Sequence, residues 1–265
     1  MNIAVATSIF AQDGFDPFLT LSYAEKKEIS AIQFYMSEDL QNNLPKIETI
    51  RNRCLKSQIK PLCHSPLMLG GAADDLAHCE ALSAIFPNDD EKYCIFHFDE
   101  TCETDKMVSD CENLAKFGIV PCVENFYTDK SRHGLVANIE KYLTFFDRVS
   151  QKNFPVLPVI DFPRMFIEQF TNFHPIFLSE LLIQKFERQK IIVHAIDSIS
   201  PQQKREDWCA VGRGIVGWID IFDFIKAKSV FVEYTVLEYE SADFIDESVL
   251  TLNKYKNMPL QTNQY

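Results

Sequence analysis

Apolar residues recur along this chain in two alternating rhythms. Short runs rich in β-branched and aromatic residues are separated by longer segments whose apolar positions fall three and four apart, the pattern of repeated βα units. Eight runs read as strands: residues 3–10, 31–36, 59–65, 93–99, 119–126, 156–161, 191–197 and 230–235. The segments between them read as amphipathic helices over 16–29, 44–56, 74–86, 105–117, 136–149, 165–188 and 215–228, with a last one starting near 242. Most strand runs are apolar almost throughout, as in Ile-Ile-Val at 191–193 and Val-Phe-Val at 230–232. Parallel strands buried on both faces have this character, whereas half-exposed antiparallel strands alternate.

Eight βα units in about 250 residues match the size of a closed (β/α)8 barrel. Residues 1–265 are therefore expected to form one barrel domain, since Gly and Pro are spread along the chain as punctuation and no linker or low-complexity tract interrupts it. An open doubly wound sheet would carry a Gly-rich turn after its first strand. Here Gly-x-Gly occurs only at Gly212-Arg213-Gly214, late in the chain and without a third glycine.

Composition narrows the function classes. With 46% hydrophobic and 24% charged residues the chain is an ordinary globular one. No run approaches the roughly 20 apolar residues of a membrane span, and the N-terminus lacks a basic region and a cleavage site, so a cytoplasmic protein without a membrane partner is expected. The eight cysteines stand singly, without C-x-x-C spacing, and read as free thiols, with Cys63, Cys94 and Cys122 as small core residues. A net charge of -12 repels polyanions, so nucleic acid is not an expected partner. Oligomerisation is left open.

The chemistry lies where the apolar runs give out. The third run ends at His64, the fourth at His97, the fifth at Glu124, the sixth at Asp161, the seventh at His194, and the eighth reads as ending at Glu233. In a (β/α)8 barrel all strands deliver their carboxyl ends to one mouth. Carboxylates gathered there repel one another unless a cation neutralises them, and imidazole nitrogens add to its coordination. Glu124, Asp161, His194 and Glu233 are the expected ligands, with His64 and His97 as further ligands or as substrate contacts. This oxygen and nitrogen set suits Mn, Zn, Fe or Co better than Ca. Taken alone, any one such residue would be read as merely solvated or hydrogen-bonded; the set carries the expectation. His78, His133 and His174 fall in helices or loops and read as surface residues.

These strand ends resemble the xylose-isomerase-like barrels, a superfamily of sugar isomerases, sugar epimerases and endonuclease IV. The resemblance covers essentially the whole chain and implies one or two divalent metals held by Glu124, Asp161, His194 and Glu233. Two stretches are similar to endonuclease IV, His64-Ser65-Pro66-Leu67 and His194-Ala195-Ile196-Asp197-Ser198; with His97 they imply a second metal position. The segment from Asp207 to Gly214 is also similar to that family. Three departures stand beside these echoes. Arg164 replaces a third-metal His and would repel a metal, Cys209 replaces another, and Gln33 stands where sugar-isomerase relatives often carry Glu.

The expected function is a metal-dependent isomerase or epimerase of a sugar, sugar phosphate or related hydroxy-carbonyl compound, working through an enediolate. The epimerase pattern implies Glu124 and Glu233 as the proton-moving pair. Arg164, Arg213, Asp207, His64 and His97 are candidate substrate contacts; the two arginines would grip an anionic group or pair with acids such as Glu168 and Glu206. One alternative is a divergent endonuclease IV-like phosphoesterase, with Lys130, Arg132, Lys204 and Arg205 as basic candidates. Another is a non-catalytic metal- or ligand-binding barrel whose mouth is plugged by Trp208 or Tyr127.

Overall fold

The computed structural model describes residues 1–87, 91–125, 134–167 and 175–258. Strands β1 (Asn2–Ala6), β2 (Ala31–Tyr35), β3 (Lys60–His64), β4 (Lys92–His97), β5 (Ile119–Glu124), β6 (Leu157–Asp161) and β7 (Lys190–Ala195) follow one another along the chain. Two short strands, β8 (Asp197–Ser198) and β9 (Trp208–Cys209), pair antiparallel in the loop after β7, and β10 (Phe231–Leu237) completes the set. Among the described residues the barrel closes in the order β1-β10-β7-β6-β5-β4-β3-β2, every neighbouring pair parallel. The (β/α)8 architecture expected from the rhythm of the sequence is the one observed.

Helices α1 (Pro17–Lys27), α2 (Glu38–Gln41), α3 (Leu44–Ser57), α4 (Leu76–Ala84), α5 (Thr104–Lys116), α6 (Gly134–Val149), α7 (Pro175–Lys185), α8 (Trp218–Ala227) and α9 (Ile245–Asn257) return the chain to the start of the next strand. Short polar side chains cap the starts of α1 to α4: Asp16 accepts from the Phe18 and Leu19 amides, Ser37 from that of Leu40, Asn43 from that of Lys46 and Asp75 from that of His78. Such caps satisfy amides that the first turn leaves without carbonyl partners. No helix among the described residues is long and apolar enough to cross a membrane.

Side chains alternate between two packed layers, as period-two geometry requires. Ala4, Leu62, Ile95, Cys122, Val159, Ile192 and Val236 fill the lumen. Val5, Phe34, Cys63, Cys94, Val123, Ile160 and Val193 face the other way, against the helices. The three strand cysteines are buried, as expected from the sequence.

Two segments differ from the reading of the sequence. The run at 3–10 is strand only to Ala6, after which Thr7–Asp13 winds into a 3-10 turn that closes on left-handed Gly14. The long helix expected at 165–188 is instead a 3-10 turn, Pro163–Phe166, followed by α7 from Pro175. Proline, with φ preset for a helical first turn, starts each piece.

Candidate functional site

Phase fixes which residues meet at the mouth. Leu62, Ile95, Cys122, Val159 and Ile192 point into the lumen, so the residues two further on, His64, His97, Glu124, Asp161 and His194, point the same way one layer higher. Each is the last or next-to-last residue of its strand, where ladder pairing holds the backbone.

Glu124 lies at the centre and is fully buried. Its Oε2 is 3.3 Å from His64 Nε2, 3.5 Å from His97 Nε2 and 3.4 Å from His194 Nδ1. His194 Nδ1 also lies 3.1 Å from Glu238 Oε2. Two sets of donor atoms therefore converge, His64, His97 and Glu124 on one side and Glu124, His194 and Glu238 on the other, with Glu124 common to both. Glu124 Oε1 and His194 Nδ1 are buried without a hydrogen-bond partner among the described residues. Buried polar atoms are rarely left so. Orphaned donors of this kind, on carboxylates and imidazoles already facing one point, fit a divalent transition metal.

The local fields are strong. Burial pushes the Glu124 carboxyl up, but the cationic His194, with the His97 and His64 rings alongside, outweighs it and holds the group well below the ordinary carboxylate range. Burial likewise opposes charge on His194, yet Glu238 and Glu124 keep its imidazole protonated well above the ordinary histidine range. His97 goes the other way: burial takes it down to about 4 against the pull of Glu124, leaving a neutral ring with a lone pair to offer.

Asp161 and Arg164 form a separate unit. Burial lifts the Asp161 carboxyl to about 6, although Arg164 opposes the shift. Arg164 Nε lies 2.6 Å from Asp161 Oδ2 and 3.7 Å from Glu124 Oε1. The turn Pro163–Phe166 brings the guanidinium back over the strand it has just left. Asn125 braces the strand end, its Oδ1 accepting from the Asp161 amide at 2.7 Å.

The eighth-strand position requires a correction. Glu233 is not at the mouth: its carboxylate is 3.4 Å from Lys190 Nζ and lines a cleft with Met1, Asn2 and Lys256 at the opposite end of the barrel. The strand-forming residues Tyr234, Thr235, Val236 and Leu237 carry β10 on past it. A bulge lies between Val232 and Tyr234, so that Val232 pairs with Ile191 and Tyr234 with Ile192. After the bulge Tyr234 and Val236 face the lumen, and Glu238, two residues further, enters the site. The alternation Tyr234, Val236, Glu238 was the available signal in the sequence.

Other expectations resolve differently. Arg213 donates to Glu247 at 2.6 Å on the outer surface, and Asp207 offers its backbone carbonyl to the Ile199 amide at 2.9 Å; neither lines the mouth. Glycine spacing brought Arg213 near the loop, but its nearest acid comes from α9. His78 is buried, not on the surface; it lies 2.9 Å from Ser65 Oγ and 2.9 Å from Gln41 Oε1. Tyr127, Lys130, Arg132, His133, Glu168 and His174 lie outside the described residues.

Above the cluster is a cavity of about 470 Å³ whose walls include His64, His97, Arg164, Gln203, Trp208 and Glu238. Trp208 stands at its side and does not fill it. Glu240, also on the wall, is paired with Arg205.

The sequence matches no protein-family model, and no curated protein matches it. Solved structures do match along nearly the whole chain. A xylose isomerase domain protein from Planctomyces limnophilus aligns at 13% identity and a TM-score of 0.66, covering 97% of this chain and 96% of that one. The IOLI protein, whose crystal structure holds a zinc atom, aligns at 14% identity and 0.66, again over 97% and 96%. D-allulose 3-epimerase from Methylomonas sp. aligns at 12% identity and 0.65, over 96% and 98%. At such identity the likeness is one of fold, and the chain shares the (β/α)8 barrel fold of these structures.

Proposed function

We propose that this protein is a divalent-metal-dependent isomerase of a small, uncharged hydroxy-carbonyl compound of sugar type. The observation that carries the proposal is the pair of donor sets sharing Glu124 at the floor of the cavity, with Glu238 as the carboxylate that reaches into it. Glu124, His194 and Glu238 would hold the metal, with His64 and His97 on the far side of Glu124. When bound, the metal supplies Lewis-acid stabilisation to oxygens that gain charge as a carbon-bound proton leaves.

The chain's own groups divide the remaining work. Glu124 is sealed beneath the cavity with one oxygen facing three imidazoles, so it binds and does not exchange protons with substrate. Glu238 is on the wall, and Gln33 Nε2 donates to its Oε1 at 2.7 Å, leaving Oε2 turned toward the cluster. Proton transfer therefore falls to Glu238. The pair first expected, Glu124 and Glu233, would have worked from opposite faces of the substrate carbon. Asp161 and Glu240 on the same wall are paired with Arg164 and Arg205, and a single proton-moving carboxylate favours removal and return of the proton on one face, which is isomerisation rather than epimerisation.

Substrate charge follows from pairing. Among the described residues the cavity arginine, Arg164, is already matched by Asp161, and Arg205 at its rim by Glu240. With both arginines engaged by carboxylates, the described wall holds no arginine in excess to meet a phosphate. The same pairing weakens the phosphoesterase reading: the first two metal positions have their donors, but the third meets Arg164, and Asp207 does not reach the mouth. A cytoplasmic location and a small-molecule partner go with this reading.

The test is a panel of aldoses, ketoses and their phosphates offered to protein loaded with Mn2+, Co2+ or Zn2+ in D2O. Deuterium should enter the carbon next to the carbonyl of an unphosphorylated substrate, and Glu238→Gln at saturating metal should slow this at least 100-fold. Near-normal exchange in that variant, or none with any compound in wild type, would overturn the assignment.

A further inference from the structure

Six groups end inward-facing strands at the mouth, yet only five belong to the converging donor sets. Asp161 is left out: no oxygen of its carboxylate joins either group of mutually close ligand atoms. What it faces instead is Arg164, at 2.6 Å and three residues on. The guanidinium also approaches Glu124 Oε1 at 3.7 Å, on the side of that carboxylate away from the three imidazoles. Cationic charge is therefore supplied from both sides of Glu124. On one side it would come from a metal, on the other it comes from a side chain.

We propose that Arg164 is a tethered cation that withdraws Asp161 from the metal, so that the ion is bound without the carboxylate of the sixth barrel strand. This rests on the metal-dependent reading above and specifies its ligand set. Three physical points support it. Breaking a 2.6 Å ion pair at a largely buried site is costly, and Asp161 would have to loosen it to turn toward a metal. The released guanidinium would then face the incoming dication in a water-poor space, where like charges repel strongly. Finally, Asn125 fixes the strand end, with its Oδ1 accepting from the Asp161 amide and its Nδ2 donating to the Asp161 carbonyl at 3.4 Å, so the backbone does not supply the needed rotation. Arginine is suited to this task because it stays charged at every working pH and matches a carboxylate edge. Arg164 is a positioning residue in this scheme.

Coordination can be read without turnover. The d–d absorption spectrum of Co2+ reports ligand number and type, so each variant is loaded with saturating Co2+ and its band positions and intensities are compared with wild type. Asp161→Asn should leave the spectrum unchanged, and so should the neutral pair Asp161→Asn with Arg164→Gln, which guards against misfolding caused by loss of the Asp161 charge beside Arg164. Arg164→Gln alone should alter it, because the freed Asp161 carboxylate can then enter the shell. Glu238→Gln and His194→Ala should alter it as lost ligands. If both Asp161 variants change the spectrum as Glu238→Gln does, Asp161 is a ligand and the proposal fails while the metal-dependent reading stands. If wild type takes up no Co2+, Mn2+ or Zn2+, that reading falls and this proposal with it.

Discussion

Gln33 and His194 are joined across the lumen by a 3.0 Å contact between Gln33 Oε1 and His194 Nε2. Because Gln33 Nε2 donates to Glu238 Oε1 at 2.7 Å, its Oε1 is left as the acceptor and His194 Nε2 as the donor. The ring is thereby turned so that Nδ1 faces Glu124 and Glu238. Outer hydrogen bonds of this type orient metal-binding imidazoles. Gln33→Ala is expected to weaken Zn2+ or Mn2+ binding about 10- to 100-fold while the circular dichroism spectrum stays that of wild type. Calorimetry giving an unaltered Kd would remove the orienting role.

Metal binding should release a proton. His194 holds its charge above the ordinary histidine range because Glu238 and Glu124 outweigh the effect of burial. At neutral pH, without metal, Nδ1 therefore carries a hydrogen that a metal must displace, and affinity falls as pH falls. Titration calorimetry in buffers of different protonation enthalpy measures the number released. About one proton per metal at pH 7 is expected; a buffer-independent enthalpy would contradict it.

The loop over the cavity hangs on one carboxylate. Asp197 accepts from the amides of Ser198 at 2.9 Å, Gly212 at 2.9 Å, Gly214 at 3.1 Å and Val216 at 3.2 Å. A Cβ at position 214 would stand 2.2 Å from both Asp197 Oδ1 and the Ser198 carbonyl. Gly214→Ala should cost about 1–3 kcal/mol of stability, read from the urea midpoint. Because the same loop carries Gln203 and Trp208 of the cavity wall, KM should rise more than kcat falls. An unchanged midpoint would show that the clasp yields without cost.

Five of the six inward strand ends were legible because a parallel strand buried on both faces announces its end: an apolar run gives way to a polar residue, as at His64, His97, Glu124, Asp161 and His194. Glu233 interrupts such a run without ending it, since Tyr234 to Leu237 resume the strand, and a bulge carries no mark in composition. Pairings between distant segments were equally hidden. Arg164 was legible as a cavity arginine, but its partner Asp161 was read as a ligand, and the match of Arg213 with Glu247 depends on where α9 docks. His78 looked solvated because Ser65 and Gln41, which make its burial tolerable, lie 13 and 37 residues away in the chain.

The bulge in β10 acts on side-chain direction as a frameshift acts on a coding sequence. Val232 packs outward, Tyr234 inward, and the extra residue between Ile191 and Ile192 of the neighbouring strand is Glu233. Deleting Glu233 restores an unbroken two-residue alternation and leaves Tyr234, Val236 and Glu238 facing the lumen, at the loss of the half-exposed pair with Lys190. Inserting one residue between Tyr234 and Glu238 instead turns Glu238 out toward the helices. Tolerance to a change in length thus reverses within a few positions of one strand, and metal binding by the deletion and the insertion would report that reversal.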